Sequence, residues 1–350
     1  MTRRGEYLAR IGLIVAAILF SLAVLELGCR VWSGGFELLV HWPNRVADRV
    51  RKERDWPVCS HVHDARLGWR PNPGFVSPRY SVDARGFRRV PAIAVADDRP
   101  PILAVGDSFT AGDEVGDEQT WPAYLQGLLG RRVQNGGVSA YGLDQMVLRA
   151  EQETAIERPA AIVLSFIADD LVRNELRRLW TFTKPYFELR DGQLVLHPRP
   201  PGDTGCDTLP FWRRALGWSV LVETIVFRAR WNARWFYYDD LHLPPGTGAA
   251  LGCPLIGRLA ALEVPVLVVL QYERTDWKAD PRGSEEYAQS RRVLECAAAY
   301  GLVVLDLGDT MERAVHAQGV DALYREDHHS PEGNRIVAEA IAVRLKKMGF

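Results

Sequence analysis

A chain of 350 residues, 47% hydrophobic and 25% charged, has the composition of a folded globular protein and not of a disordered or fibrous one. Its 43 Lys and Arg against 44 Asp and Glu leave a formal charge of −1. No global basic field exists to hold nucleic acid, which argues against a nucleic-acid partner. The length fits one catalytic domain carrying an anchor and an insertion.

Residues 11–25 read IGLIVAAILFSLAVL without a charge, and Arg10 and Arg30 bracket a stretch about 28 Å long as a helix. This is enough for an N-terminal transmembrane helix, with the anchor taken as residues 1–34. Glu26 interrupts the run near one end, where it can reach the interface. Arg3, Arg4 and Arg10 would also serve as the n-region of a cleaved signal peptide, but no small-x-small cleavage site follows the apolar run. Leu27-Gly28-Cys29 faintly resembles a lipoprotein signal, with Glu26 where an apolar residue is wanted. The short basic N-terminus favours the N-in orientation, so the bulk domain is expected to be periplasmic or extracellular. There, Cys59, Cys206, Cys253 and Cys296 would face oxidising conditions. Four thiols allow three full pairings, of which Cys206 with Cys253 is preferred because both belong to the insertion.

Residues 35–100 read as a connector and edge segment. The charged run 45–55 suggests a solvated helical stalk, and 67–74 (LGWRPNPG) cannot be a continuous helix because each proline removes a donor. Residues 81–88 (SVDARGFR) suggest a short strand and turn, with Trp69 and Phe87 as core residues.

From residue 101 the pattern changes. Short apolar runs at 102–105, 161–166, 266–270 and 302–305 alternate with segments long enough for helices, and 132–135 is a weaker strand. The expected fold class is α/β, a three-layer sandwich with a parallel sheet of about five strands, whose ligands bind at the strands' carboxyl ends.

Chemistry-bearing residues stand at those ends. Gly106-Asp107-Ser108-Phe109-Thr110 places a hydroxyl at a strand-to-helix turn. Asn135-Gly136-Gly137-Val138-Ser139 brings a glycine N–H within reach of a ligand. Residues 168–170 (ADD) follow the third strand, and 326–333 (EDHHSPEG) supply imidazoles before a final helix. Asp327, His328 and His329 are adjacent and not spaced on one helix face, so no metal is expected. No cofactor is expected either.

In this order the motifs resemble the SGNH, or GDSL, hydrolase superfamily, membrane-anchored bacterial type, over residues 67–350. The resemblance implies a flavodoxin-like sheet, Ser108 as nucleophile, His328 as general base, and the N–H groups of Ser108 and Gly137 in an oxyanion hole. It also implies an acylated carbohydrate, or other ester, as substrate. Two positions depart from the pattern. The family's third block has Asn then Asp, whereas the matching residues here are Asp169 and Asp170, so Asp169 stands at the third oxyanion position without an amide. The family's acid commonly precedes His by three residues, where this chain has Arg325; Glu326 is taken as the acid, with Asp327 the runner-up.

The insertion at 175–254 contains a hairpin around Asp191-Gly192 and a helical segment over 211–238 rich in Trp and Arg. Its Trp212, Trp218, Trp231 and Trp235 suggest either packing or a cover over the site. The resulting expectation is a serine esterase removing acyl groups, O-acetyl first among them, from an envelope or extracellular glycan. An acyltransferase of the same fold and a catalytically impaired glycan-binding or scaffold protein are the rivals.

Overall fold

The computed structural model describes residues 3–42, 60–91, 98–179, 182–198, 211–229, 240–241, 243–278 and 283–350. The chain divides into two compact units, residues 1–58 with 206–239, and residues 59–205 with 240–350.

The first unit is built on the helix Arg3–Gly34, whose stretch Ala9–Gly34 is long and apolar enough to cross a membrane. Its two charges near the C-terminal end are partnered. Glu26 accepts the Ser219 hydroxyl at 2.7 Å and the N–H groups of Val220 and Leu221 at 2.9 Å each, so a carboxylate of this helix caps the helix Val220–Arg228. Arg30, 1% exposed, donates to Glu26 at 2.8 Å, to the Leu38 carbonyl at 3.0 Å and to the Trp218 carbonyl at 2.5 Å. Its guanidinium also covers the Trp42 ring at 3.6 Å. The helical segment expected over 211–238 is found as Phe211–Leu216 and Val220–Arg228. Trp231, Trp235, Cys59, Cys206 and the stalk at 45–55 lie outside the described residues.

The second unit carries the sheet. Strands β1 (Ile102–Gly106), β2 (Val133–Asn135), β3 (Ala161–Phe166), β4 (Val266–Leu270) and β5 (Val303–Asp306) are all parallel, in spatial order β2-β1-β3-β4-β5. This is the flavodoxin-like order, with its switch point between β1 and β3. Side chains alternate between two cores, as strand geometry demands. Leu103, Val105, Ile162, Leu164 and Val268 pack with Met146, Leu255 and Val293 from one helical layer. Ile102, Ala104, Val163 and Val269 pack with Trp121, Met311, Val337 and Ile341 from the other. The strand expected at 132–135 is real, and its short length explains its weak signal.

Four further details bear on the expectations. Cys253 is bonded to Cys296 with Cα atoms 5.4 Å apart, not to Cys206. The reason is packing: helices Gly252–Ala260 and Glu285–Ala299 lie on the same sheet face, with Leu255 and Val293 in one core. The hairpin Tyr186–Arg190 with Gln193–His197 forms about Asp191 (φ 52°) and Gly192 (φ 76°), both left-handed as the two-residue turn requires. Residues 81–88 make isolated bridges, Val82 with Arg88 and Arg88 with Asn135, and no continuous strand. Trp69 is fully buried, donates to the Ser139 carbonyl at 3.1 Å, and packs edge-on against Tyr141.

Candidate active site

β1 ends at Gly106, which must be glycine: a Cβ there would lie 2.1 Å from Thr110 Oγ1 and 2.5 Å from the Ser165 carbonyl. Asp107 follows and caps the next turn, its Oδ1 accepting the Phe109 N–H at 2.9 Å. Ser108 therefore opens the short helix Ser108–Ala111 at the carboxyl edge of the sheet, and left-handed Gly112 (φ 82°) closes it. The chain then runs through Asp113 and Glu114. Buried Arg88 holds this loop, donating to the Ala111 carbonyl at 2.6 Å, the Val115 carbonyl at 2.7 Å and Asp117 at 3.0 Å. Glu114 itself has φ 72°, a left-handed conformation uncommon for a non-glycine residue.

From the other end of the chain, Ser330 caps the final helix Pro331–Lys347 by accepting the Gly333 N–H at 3.2 Å, with proline in the first turn. Just before it, the Arg325 N–H donates to the His328 carbonyl at 2.8 Å, forming a tight turn. This turn presents His328 to the sheet edge. Its Nε2 lies 2.9 Å from Ser108 Oγ, and its Nδ1 lies 2.7 Å from Glu114 Oε1. Phe109 packs between the rings of His328 and His329, each 5.0 Å away.

The partner of the imidazole is thus Glu114 and not Glu326. Glu326 takes part through its backbone, whose N–H donates to Glu114 Oε2 at 3.1 Å, while the Asp327 N–H reaches Oε1 at 3.3 Å. The turn that carries Glu326 and Asp327 wraps around the Glu114 carboxylate, so it supplies donors, and the carboxylate that meets the imidazole comes from the loop after Ser108. The two carboxylates between Gly112 and Gly116, directly after the serine turn, were the available signal. His329 is excluded from the base position: it is 1% exposed and its Nε2 meets Gln271 Oε1 at 3.0 Å.

Electrostatics follow from these contacts. Burial opposes the charged form of His328, but the hydrogen bond to Glu114 and the charges of Asp113, Glu114 and Asp107 outweigh it and push its pKa up to about 9. Burial raises Glu114, yet the bonds from His328 and the surrounding N–H groups hold it below its ordinary value. Burial lifts Asp113 to about 7, against the pull of the His328 charge and the Ser139 hydroxyl. With Nδ1–H directed at Glu114, neutral Nε2 is the acceptor for Ser108 Oγ–H. When the ring is charged, Nε2 becomes a donor and the hydroxyl turns to its other neighbour, Asp107 Oδ2 at 3.3 Å.

The remaining expected residues are placed differently. Gly137 lies against the serine helix, where a Cβ would meet the Ala111 nitrogen at 2.1 Å. Its N–H donates to Asn135 Oδ1 at 3.1 Å. Asp169 opens the helix Asp169–Arg173 after β3, and its Oδ2 accepts from Arg173 Nη2 at 2.6 Å.

Serine, imidazole and carboxylate in one hydrogen-bonded chain at the rim of a parallel sheet join the motifs in space. The chain resembles the SGNH/GDSL hydrolases. No family model and no curated protein matches the sequence. Among solved structures, this chain is similar to "TesA" at 16% identity, covering 71% of this chain and 98% of that one, with a TM-score of 0.41. It is similar to a member of the lipolytic protein G-D-S-L family from Veillonella parvula at 16% identity, covering 69% and 94%, TM-score 0.37. It is likewise similar to Axe2, an acetylxylan esterase from Geobacillus stearothermophilus, at 16% identity, covering 72% and 94%, TM-score 0.42.

Proposed function

We propose that this protein is a serine esterase that removes acyl groups, with an O-acetylated envelope or extracellular glycan as substrate, and is tethered to a membrane by its N-terminal helix. The chain Ser108–His328–Glu114 carries the reading. Ser108 Oγ attacks the acyl carbonyl while its proton passes to His328 Nε2, and Glu114 holds the ring by Nδ1 and stabilises its positive charge. The leaving alcohol takes that proton, giving an acyl-serine. Water then attacks the acyl group with His328 again as base, which releases the acid and restores the hydroxyl. The Ser108 N–H is the donor we assign to the oxyanion; the Gly137 N–H joins it only by sharing or giving up its bond to Asn135 Oδ1.

The Cys253–Cys296 disulfide supports an oxidising compartment, and with it a location outside the cytoplasm. The test is turnover of an aryl acetate, and labelling by a fluorophosphonate, for the purified full-length protein and for Ser108→Ala. Both signals are expected in wild type and absent from the variant; equal background rates would support a binding or scaffold role. Products formed with a sugar alcohol present separate the esterase from an acyltransferase.

A further inference from the structure

Along the helix Arg3–Gly34 the stretch from Ile11 to Arg30 measures about 28 Å, close to the hydrocarbon thickness of a bilayer. Arg30 therefore marks the level at which headgroups begin at the C-terminal end of the span, and Glu26 lies one turn, about 6 Å, deeper. Tryptophans gather at the Arg30 level. Trp32, two residues further on, is 90% exposed; the Trp42 ring lies 3.6 Å from the Arg30 guanidinium; and the Trp218 carbonyl accepts from Arg30 at 2.5 Å. All three rings are exposed, and an amphipathic ring suits the boundary between lipid and water.

Trp218 belongs to the insertion, 188 residues later in sequence than Arg30. The helix after it starts deeper. The N–H groups of Val220 and Leu221 and the Ser219 hydroxyl all bind Glu26, so the helix Val220–Arg228 begins one turn below the tryptophan level, within the apolar stretch Ala9–Gly34. Lipid offers the start of a helix no acceptor, and here the carboxylate of the span supplies it. Ile225 of this helix is 55% exposed. Ahead of Trp218, the helix Phe211–Leu216 reads FWRRAL; Phe211, Ala215 and Leu216 share one arc by the 3.6-residue period, and all three are exposed. In water these side chains would form an apolar patch with nothing to bury it. In lipid they continue the apolar surface of the stretch Ala9–Gly34.

We propose that residues 211–228 form a second membrane-seated element. The helices Phe211–Leu216 and Val220–Arg228 lie in the lipid interface beside the C-terminal end of the N-terminal helix, with Phe211, Leu216, Trp218 and Ile225 among phospholipid acyl chains. The inference rests on the reading of the N-terminal helix as a membrane tether. A lone span leaves its tilt and rotation open, whereas a packed neighbour with its own interfacial tryptophan fixes both.

The experiment places the photoreactive residue p-benzoylphenylalanine, one position at a time, at Phe211, Leu216 or Ile225 of the full-length protein, reconstituted in vesicles of phosphatidylethanolamine and phosphatidylglycerol. Leu19, exposed within the span, is the positive control, and Gln193, exposed beside the polar turn of the hairpin, sets the background. Intact mass after irradiation reads the phospholipid adduct. Positions 211, 216 and 225 should carry adduct at about fivefold or more over the position-193 background, as side chains buried to the acyl boundary require. Background yields at all three, with adduct at position 19, overturn the proposal. An adduct with the mass of a second chain in place of lipid overturns it as well. The three positions are exposed and lie on two helices, so a variant that fails to fold leaves the others to decide. Failure of the tether reading is separately visible, as background yield at position 19, and takes the inference with it.

Discussion

Glu114 Oε1 lies 2.7 Å from Nδ1 of His328 across 214 residues of sequence. The contact pairs the imidazole with Glu114 and not with Glu326 or Asp327. Glu114→Gln removes the negative charge and can present an amide N–H to the ring, favouring the wrong tautomer. A kcat loss on the order of 10³ to 10⁴ is expected in aryl acetate turnover. Glu326→Ala keeps the backbone N–H that binds Glu114 and should change kcat by less than about threefold, a surface-substitution scale. The reverse ranking of the two variants would return the role to Glu326.

The pH dependence has a definite sign. A base with its pKa pushed up to about 9 is mostly protonated at neutral pH, so kcat/KM should rise with pH and level off only above about 9. Removing the charge partner in Glu114→Gln should bring the inflection of the residual activity down toward the ordinary histidine value of 6.5. Stability runs the other way. A raised folded-state pKa contributes stability that is fully present below about 6.5 and is lost as pH rises through about 9. Urea midpoints of Ser108→Ala, measured against pH, should therefore decline over that window by more than those of the Ser108→Ala/Glu114→Gln double variant.

The parts of this fold legible in the sequence are those whose cause is local. Val266–Leu270 is a strand because five consecutive apolar residues, buried on both faces, can be read without knowing their neighbours. Asp191-Gly192 specifies its turn by the left-handed conformations that the pair tolerates. Ser108 and His328 were legible because each sits beside the element that positions it, a strand end and a capped helix. Glu114 was not, because its role depends on a loop held by Arg88 from an earlier segment and by N–H groups contributed more than 200 residues later. The Cys253–Cys296 bond is similar: it follows from two helices sharing a sheet face, which membership in one insertion does not reveal.

That disulfide spans a sequence separation of 43 residues, so by chain entropy it is worth about 4 kcal/mol against the unfolded state. Cys253→Ser/Cys296→Ser should lower the urea midpoint of the sheet-bearing unit and abolish the mobility difference that reduction causes through this loop. Because the bond ties helices behind the sheet, away from the Ser108 turn, kcat of the folded double variant should stay within about threefold of wild type. A stable variant with greatly reduced kcat would show that these helices influence the site.

Glu26 gives the last prediction. A carboxylate within a 26-residue apolar stretch is expensive unless it is satisfied, and here it accepts from Ser219, Val220 and Leu221 while pairing with Arg30. Glu26→Ala removes the acceptor for the first N–H groups of the helix Val220–Arg228 and leaves buried Arg30 with carbonyl partners alone. Loss of such a cap costs about 1 kcal/mol, and removal of one member of a buried ion pair costs more. In reconstituted vesicles, amide hydrogen exchange over 220–228 should accelerate at least fivefold in Glu26→Ala. Exchange in β1, β3 and β4 should not change, since those strands belong to the other unit. Glu26→Gln keeps one acceptor oxygen and should fall between the two. Unchanged exchange over 220–228 in Glu26→Ala would mean that the helix holds without its carboxylate cap.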